Sequence, residues 1–225
     1  MTNQQSSEFV FSAPAYLCLI SHGRLRDVPE LRELNDAIIT SGVLKAKAML
    51  KQFDFPMMVS LLFNAFTEEN YCEPIKRAGD YGFDRIYTDS GGLQIFSRGM
   101  SANKDVKQRV YKTQAKSDLT MCFDNIPVKN VRPAFKTSYI DRVFMYDQFQ
   151  SCALDTCNNV IEQINAFREL NTSTKIFFVV QGNNFDDMCE WFDIAVKNIP
   201  KDYWDHIGGL AIGRSLFRYG AKRRY

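Results

Sequence analysis

No apolar run in this sequence is long enough to cross a bilayer. The longest, residues 56–63, falls well short of the about 20 residues a membrane-spanning helix needs, so no membrane role is expected. Residues 1–8 lack the basic and apolar regions of a signal peptide. The expected location is therefore the cytoplasm. An excess of charge of one sign is missing too: 28 Lys and Arg stand against 26 Asp and Glu, a net charge of +2. That balance gives no general attraction to nucleic acid, so a polyanion site has to be a local patch. Cysteines at metal-binding spacing are also lacking. Of the six, Cys18, Cys72, Cys122, Cys152, Cys157 and Cys189, only Cys152 and Cys157 lie near each other, and His22 and His206 are the two histidines. Structural zinc uses tight pairs such as C-x2-C, so these read as reduced thiols, with no metal ligand and no cofactor assigned. Nor does a Gly/Ser linker, repeat or low-complexity tract divide the chain, and residues 1–225 read as one domain.

What is present is the composition of an ordinary globular protein, 45% hydrophobic and 24% charged. Strand-like apolar runs recur at residues 16–20, 57–63, 83–88, 119–123, 175–180 and 207–212, with helical patterns between most of them. Alternation of that kind predicts an α/β fold. Pro29 suits a helix start, and Leu31, Leu34 and Ile38 share one face of the helix that follows. Met188, Trp191, Phe192, Ala195, Val196 and Ile199 repeat at helical spacing behind Asp187 and Glu190, which have the form of a capping box. Val160, Ile161, Ile164, Phe167 and Leu170 form a further stripe, assigned to core packing. The last residues, Arg214 to Tyr225, carry Arg214, Arg218, Lys222, Arg223 and Arg224, with little apolar patterning after Phe217. That strip reads as a solvated tail or as a phosphate contact.

The strand exits carry the chemistry. Asp89-Ser90-Gly91-Gly92-Leu93-Gln94 follows the third run with a carboxylate, a hydroxyl and two glycines that let a backbone approach a ligand closely. In parallel α/β folds ligands bind at the carboxyl ends of strands, which makes Asp89 a functional candidate. The competing reading is a tight turn in which Asp89 only caps backbone amides. The fourth run exits at Phe123-Asp124-Asn125-Ile126-Pro127, the fifth at Val180-Gln181-Gly182, and the sixth contains Gly208-Gly209-Leu210-Ala211-Ile212-Gly213. If these strands are parallel neighbours, Asp89, Asp124, Gln181 and the Gly208-Gly209 amides meet at one pocket mouth. A purine suits such a mouth. Guanine offers two adjacent donors to one carboxylate, and its O6 accepts from a glutamine amide or a glycine N–H.

In order and spacing these four motifs resemble those of the tRNA-guanine transglycosylase superfamily, across residues 89–213; the first 80 residues match only loosely. The resemblance implies a (β/α)8 TIM barrel, of which about six strand-helix units are accounted for. It also implies exchange of guanine in a nucleic acid, DNA or tRNA, for a 7-deazaguanine by double displacement at the glycosidic carbon. Carried over by position, Asp89 would serve as the catalytic acid/base. Ser90 and Asp124 would hold the base edge, with Gly91 and Gly92 in the same loop. Gln181 and Gly209 would bind O6, beside Gly208 and Leu210. The base would have to leave its stack, so the polymer would be bound as a loop or with one nucleotide flipped out.

The family's nucleophilic aspartate and its Cys/His zinc site follow the last of these motifs and are not found in the 225 residues. The expectation is a fragment, a split enzyme whose barrel a second chain completes, or a degenerate paralogue that binds without turnover. Arg214 stands where the bacterial tRNA enzymes commonly have Glu, and Leu93 replaces the usual aromatic. Those departures fit a divergent branch, the phage-type DNA-modifying one included. Two further classes stay open: a non-catalytic nucleic-acid-binding or accessory subunit, and an unrelated α/β barrel enzyme with coincident glycine turns.

Overall fold

The computed structural model of the chain describes residues 11–16, 29–51, 57–65, 79–92, 102–131 and 141–213. It is an α/β fold of parallel strands flanked by helices, with one separate antiparallel pair. Packing divides the chain into two compact units, Met1–Phe63 with Tyr71–Tyr87, and Asn64–Asn70 with Thr88–Tyr225.

In the first unit β1 (Phe11–Tyr16) runs parallel to β2 (Met57–Asn64), with Phe11 opposite Met57 and Tyr16 opposite Leu62. The predicted first strand, 16–20, shares only Tyr16 with β1, and its other residues lie outside the described ones. Helix α1 (Pro29–Leu50) begins at Pro29 as predicted, where a missing N–H costs nothing. Leu34 and Ile38 are both 56% exposed, while Val43 joins Leu61, Tyr81 and Phe83 in a small core that Ile39, Ala46 and Ile86 border. Tyr81 Oη donates to Asp36 Oδ1 at 2.7 Å, and Lys47 Nζ pairs with Asp84 Oδ1 at 2.6 Å. Those polar ties hold α1 over the turn at Gly82, whose φ of +84° suits a residue without Cβ.

The second unit holds the larger core. Helix α2 (Lys104–Gln114) starts where Asn103 Oδ1 accepts from Val106 N–H at 3.0 Å. It leads into β4 (Leu119–Met121), shorter than the predicted 119–123. A hairpin of β5 (Val128–Val131) and β6 (Asp141–Phe144) follows, antiparallel and unpredicted. Helix α3 (Phe149–Glu169), strand β7 (Lys175–Val180), helix α4 (Phe185–Asn198), a 3-10 segment (Lys201–His206) and β8 (Ile207–Ile212) complete the unit. β4 pairs parallel with β7, and β7 parallel with β8.

The cap of α4 falls three residues before the predicted box: Asn184 Oδ1 accepts from Asp187 N–H at 2.9 Å. Asp186 and Asp187 complement the positive end of the helix dipole, Lys197 complements the other end, and Pro200 follows the stop. Trp191 and Ala195 turn inward, whereas Val196, predicted on the same stripe, is 53% exposed. Trp191 meets Phe149 edge-on with centroids 5.2 Å apart and donates from Nε1 to Val179 O at 3.1 Å. Val160, Ile164 and Phe167 of the α3 stripe are fully enclosed, each contributing about 1.5–3 kcal/mol by leaving water; Leu170, at the helix end, is exposed. Among the described residues no helix is long and apolar enough to cross a membrane.

Candidate functional site

Three strand exits of the second unit converge. Asp89 is the last residue of β3 (Arg85–Asp89), and its carbonyl accepts from Ala65 N–H at 2.9 Å. Hydroxyls tie that strand end to β4. Thr88 Oγ1 and Ser117 Oγ lie 2.9 Å apart, and Thr120 Oγ1 donates to Thr88 O at 3.1 Å, all buried. Past Asp89 the chain turns through Gly91 at φ +80°. Buried Ser90 accepts on Oγ from Gly92 N–H at 3.2 Å. The amides of Ser90 and Gly91 bond the Asp89 carboxyl, so the capping role foreseen for this acid is real in the turn.

Gly92 is where the loop touches the second acid. A Cβ there would lie 3.0 Å from Asp124 O and 3.5 Å from Asp124 Oδ1, so glycine permits a contact that another residue would force apart. Asp124 itself follows β4 and is 9% exposed. Gln181, immediately after β7 and 2% exposed, donates from Nε2 to Asp124 Oδ2 at 2.6 Å. The orientation of the amide follows from charge, since an ionised carboxylate only accepts and the NH2 group must face it. Burial, with the nearby Asp89 charge adding to it, pushes the Asp124 carboxyl up to about 7, against the pull of the Gln181 bond. Asp89 is raised as well, mainly by burial, with the Ser90 and Gly91 amide bonds opposing. The two acids thus titrate as a pair that resists carrying two charges.

Gly208, Gly209 and Leu210 do not join this cluster, which corrects their expected placement at the mouth. Gly209 pairs with Phe177, near the start of β7, and Ile212 pairs with Val180 at its end. Three residues of strand put about 10 Å between Gly209 and the exit. The register shifts between Ile176 and Phe177, opposite Gly208, as at a bulge. A Cβ on Gly208 would meet Lys175 Cβ at 2.9 Å and one on Gly209 the Phe177 ring at 3.1 Å, so both glycines make room for β7 side chains. Leu210 is 50% exposed.

The glycine after β8 that does reach the site is Gly213. Its N–H donates to Val180 O at 2.8 Å, and a Cβ there would overlap the Gln181 amide group. Its signal in the sequence is the final glycine of the sixth run. Gly182 plays a related part, since a Cβ would meet Asp187 Cβ and Met188 N at 2.9 Å, so the first turn of α4 sits directly over the β7 exit. Sequence reasoning also missed Thr156, Asn159 and Gln163 on α3, buried side chains that bond to the β4 exit.

Cys122, Cys152 and Cys157 are buried free thiols and Cys189 is exposed and free; Cys18 and Cys72 lie outside the described residues. Burial, with the Asp124 charge beside it, holds the Cys122 thiol protonated, and its Sγ accepts from Val179 N–H at 3.1 Å. Among the described residues no group of three or more His, Cys, Asp or Glu is placed to hold a metal ion. Leu93 and Arg214, the two departures from the motif pattern, fall outside the described residues. Comparison with family models and with curated proteins finds no match to this chain.

Proposed function

We propose that the chain holds a guanine-type base on Asp124 and Gln181, as the base-binding part of a transglycosylase that exchanges guanine in DNA or tRNA for a 7-deazaguanine. The observation that carries this reading is the buried hydrogen bond from Gln181 Nε2 to Asp124 Oδ2. It sets one donor beside a carboxylate, in the order donor, acceptor, acceptor. Along the Watson–Crick edge of guanine the order is O6, N1–H, N2–H, the complement of that row. Both Asp124 oxygens would accept from N1–H and N2–H, with O6 set against the Gln181 amide. Adenine presents a donor where guanine has O6 and is mismatched at both positions. Selectivity then comes from buried polar groups that the wrong base leaves unpaired.

Asp89, raised by burial and near enough for its charge to raise Asp124, suits the acid/base role. Exchange also needs a nucleophile for the sugar carbon, which comes from outside the described residues or from a second chain. The parallel strands flanked by helices are compatible with a (β/α)8 barrel, and a barrel completed in trans would keep Asp89, Asp124 and Gln181 at its catalytic face. Calorimetry with guanine and a 7-deazaguanine tests the reading: Asp124→Ala should abolish binding, and retained affinity contradicts it. Binding without incorporation of labelled guanine into nucleic acid would restrict the chain to an accessory role.

A further inference from the structure

The backbone around Asp124 is held by a helix, not by the sheet. β4 leaves its ladder with β7 after Cys122, whose N–H donates to Phe177 O at 2.9 Å. Two residues further along β7, Val179 N–H donates to a thiol instead of a carbonyl. The next peptides are enclosed, and buried backbone groups need partners. Helix α3 supplies them. Asn159 Nδ2 donates to Phe123 O at 3.0 Å, Phe123 N–H donates to Gln163 Oε1 at 3.4 Å, and Asn125 N–H donates to Thr156 Oγ1 at 2.9 Å.

Thr156, Asn159 and Gln163 are spaced three and four apart on one helix face, and all are buried. Each is fixed from behind. The Thr156 hydroxyl donates to Cys152 O at 2.9 Å, Tyr111 Oη donates to Asn159 O at 3.3 Å, and Gln163 Nε2 donates to Gln114 Oε1 at 2.8 Å. Gln114 Nε2 in turn donates to Met121 O at 2.9 Å, closing the network on β4. Packing alone does not call for this stripe, since apolar side chains of similar size fill a core without desolvating amides. Its bonds bracket Asp124, from the residue before it to the residue after it.

We propose that Thr156, Asn159 and Gln163 are positioning residues that set where the Asp124 carboxylate stands against Gln181, and thereby which base the site selects. The selection clause rests on the base-edge reading above; the positioning clause does not. Thr156→Val removes the hydroxyl at nearly constant volume and leaves Asn125 N–H without its acceptor, whereas Thr156→Ser keeps the oxygen. Two readouts separate the clauses: the titration of the Asp124 carboxyl by carbon-13 NMR, which needs no ligand, and guanine affinity by calorimetry.

Thr156→Val is expected to move the Asp124 midpoint by about half a pH unit or more and to weaken guanine binding about tenfold, while Thr156→Ser stays near the native values. An unmoved midpoint in folded Thr156→Val overturns the proposal whatever the affinity, and so does Thr156→Ser behaving like Thr156→Val. A moved midpoint in a chain whose native form binds no guanine leaves positioning standing and removes the base reading. If Thr156→Val does not fold, hydrogen exchange of the native chain decides. The Phe123 and Asn125 amides should exchange about a thousandfold slower than exposed ones, and exchange at the rate of open loops overturns the proposal.

Discussion

Replacing Asp124 with Asn should stabilise the second unit at neutral and alkaline pH while destroying its proposed function. Asn keeps the shape, and its carbonyl can still accept from Gln181 Nε2, but no charge is buried. In the native chain the carboxyl is pushed up from 3.8 to about 7. A folded-state value above the unfolded one means that the folded chain binds the proton more tightly, so native stability falls as pH rises from about 4 to about 7 and levels off above. At roughly 1.4 kcal/mol per pH unit the full effect has a ceiling of about 4 kcal/mol. Relaxation and water penetration reduce the measured value to about 2 kcal/mol. Asp89 shares the effect, since neutralising one acid eases ionisation of the other. Urea unfolding followed by tryptophan fluorescence is suited to the question, because both tryptophans, Trp191 and Trp204, lie in the second unit. The stability gap between Asp124→Asn and the native chain should widen by at least about 1 kcal/mol between pH 5 and pH 8. A gap that stays flat, or narrows, refutes a buried acid with a raised titration point.

Ligand binding runs in the opposite sense: guanine needs Asp124 ionised to accept two N–H groups, so affinity should rise as pH climbs through about 7 and then plateau. Calorimetry from pH 5.5 to pH 8.5 checks this, and an affinity that falls with pH contradicts it. Gly213→Ala should cost about tenfold or more in guanine affinity by pushing the Gln181 amide off Asp124, with the fold kept; native affinity in that variant would show that Gln181 has room to move. Trp191→Ala should destabilise the second unit by about 3–5 kcal/mol in urea unfolding, through the cavity and the lost bond to Val179 O. Asp84→Ala, at the part-exposed pair with Lys47, should cost less than about 1 kcal/mol.

Much of the sheet was legible. Strands β7 and β8 match the predicted runs 175–180 and 207–212 because their apolar residues are continuous and bounded by clear breakers. Asp89 and Gln181 could be placed at strand ends for the same reason. Register was not legible, and it decides the fate of Gly208 and Gly209: a bulge in β8 and the pairing with Phe177 set them near the strand's start. The hairpin of β5 and β6 escaped because four-residue strands containing Lys129, Asn130, Asp141 and Arg142 show no apolar period. On α1 the periodic face with Leu34 and Ile38 was real as a pattern but is not the face that Val43 buries. The polar stripe of α3 was invisible for a related reason. Thr156, Asn159 and Gln163 look like a solvated face until the turn that needs their bonds is seen against them.

The most direct test of the central claim follows the side-chain amide of Gln181 and the carboxyl of Asp124 by NMR while guanine, and separately adenine, is added to the native chain above pH 7. Both signals should move with guanine and stay in place with adenine. No movement with guanine, or equal movement with adenine, would contradict the assignment of this buried pair as a guanine-reading site.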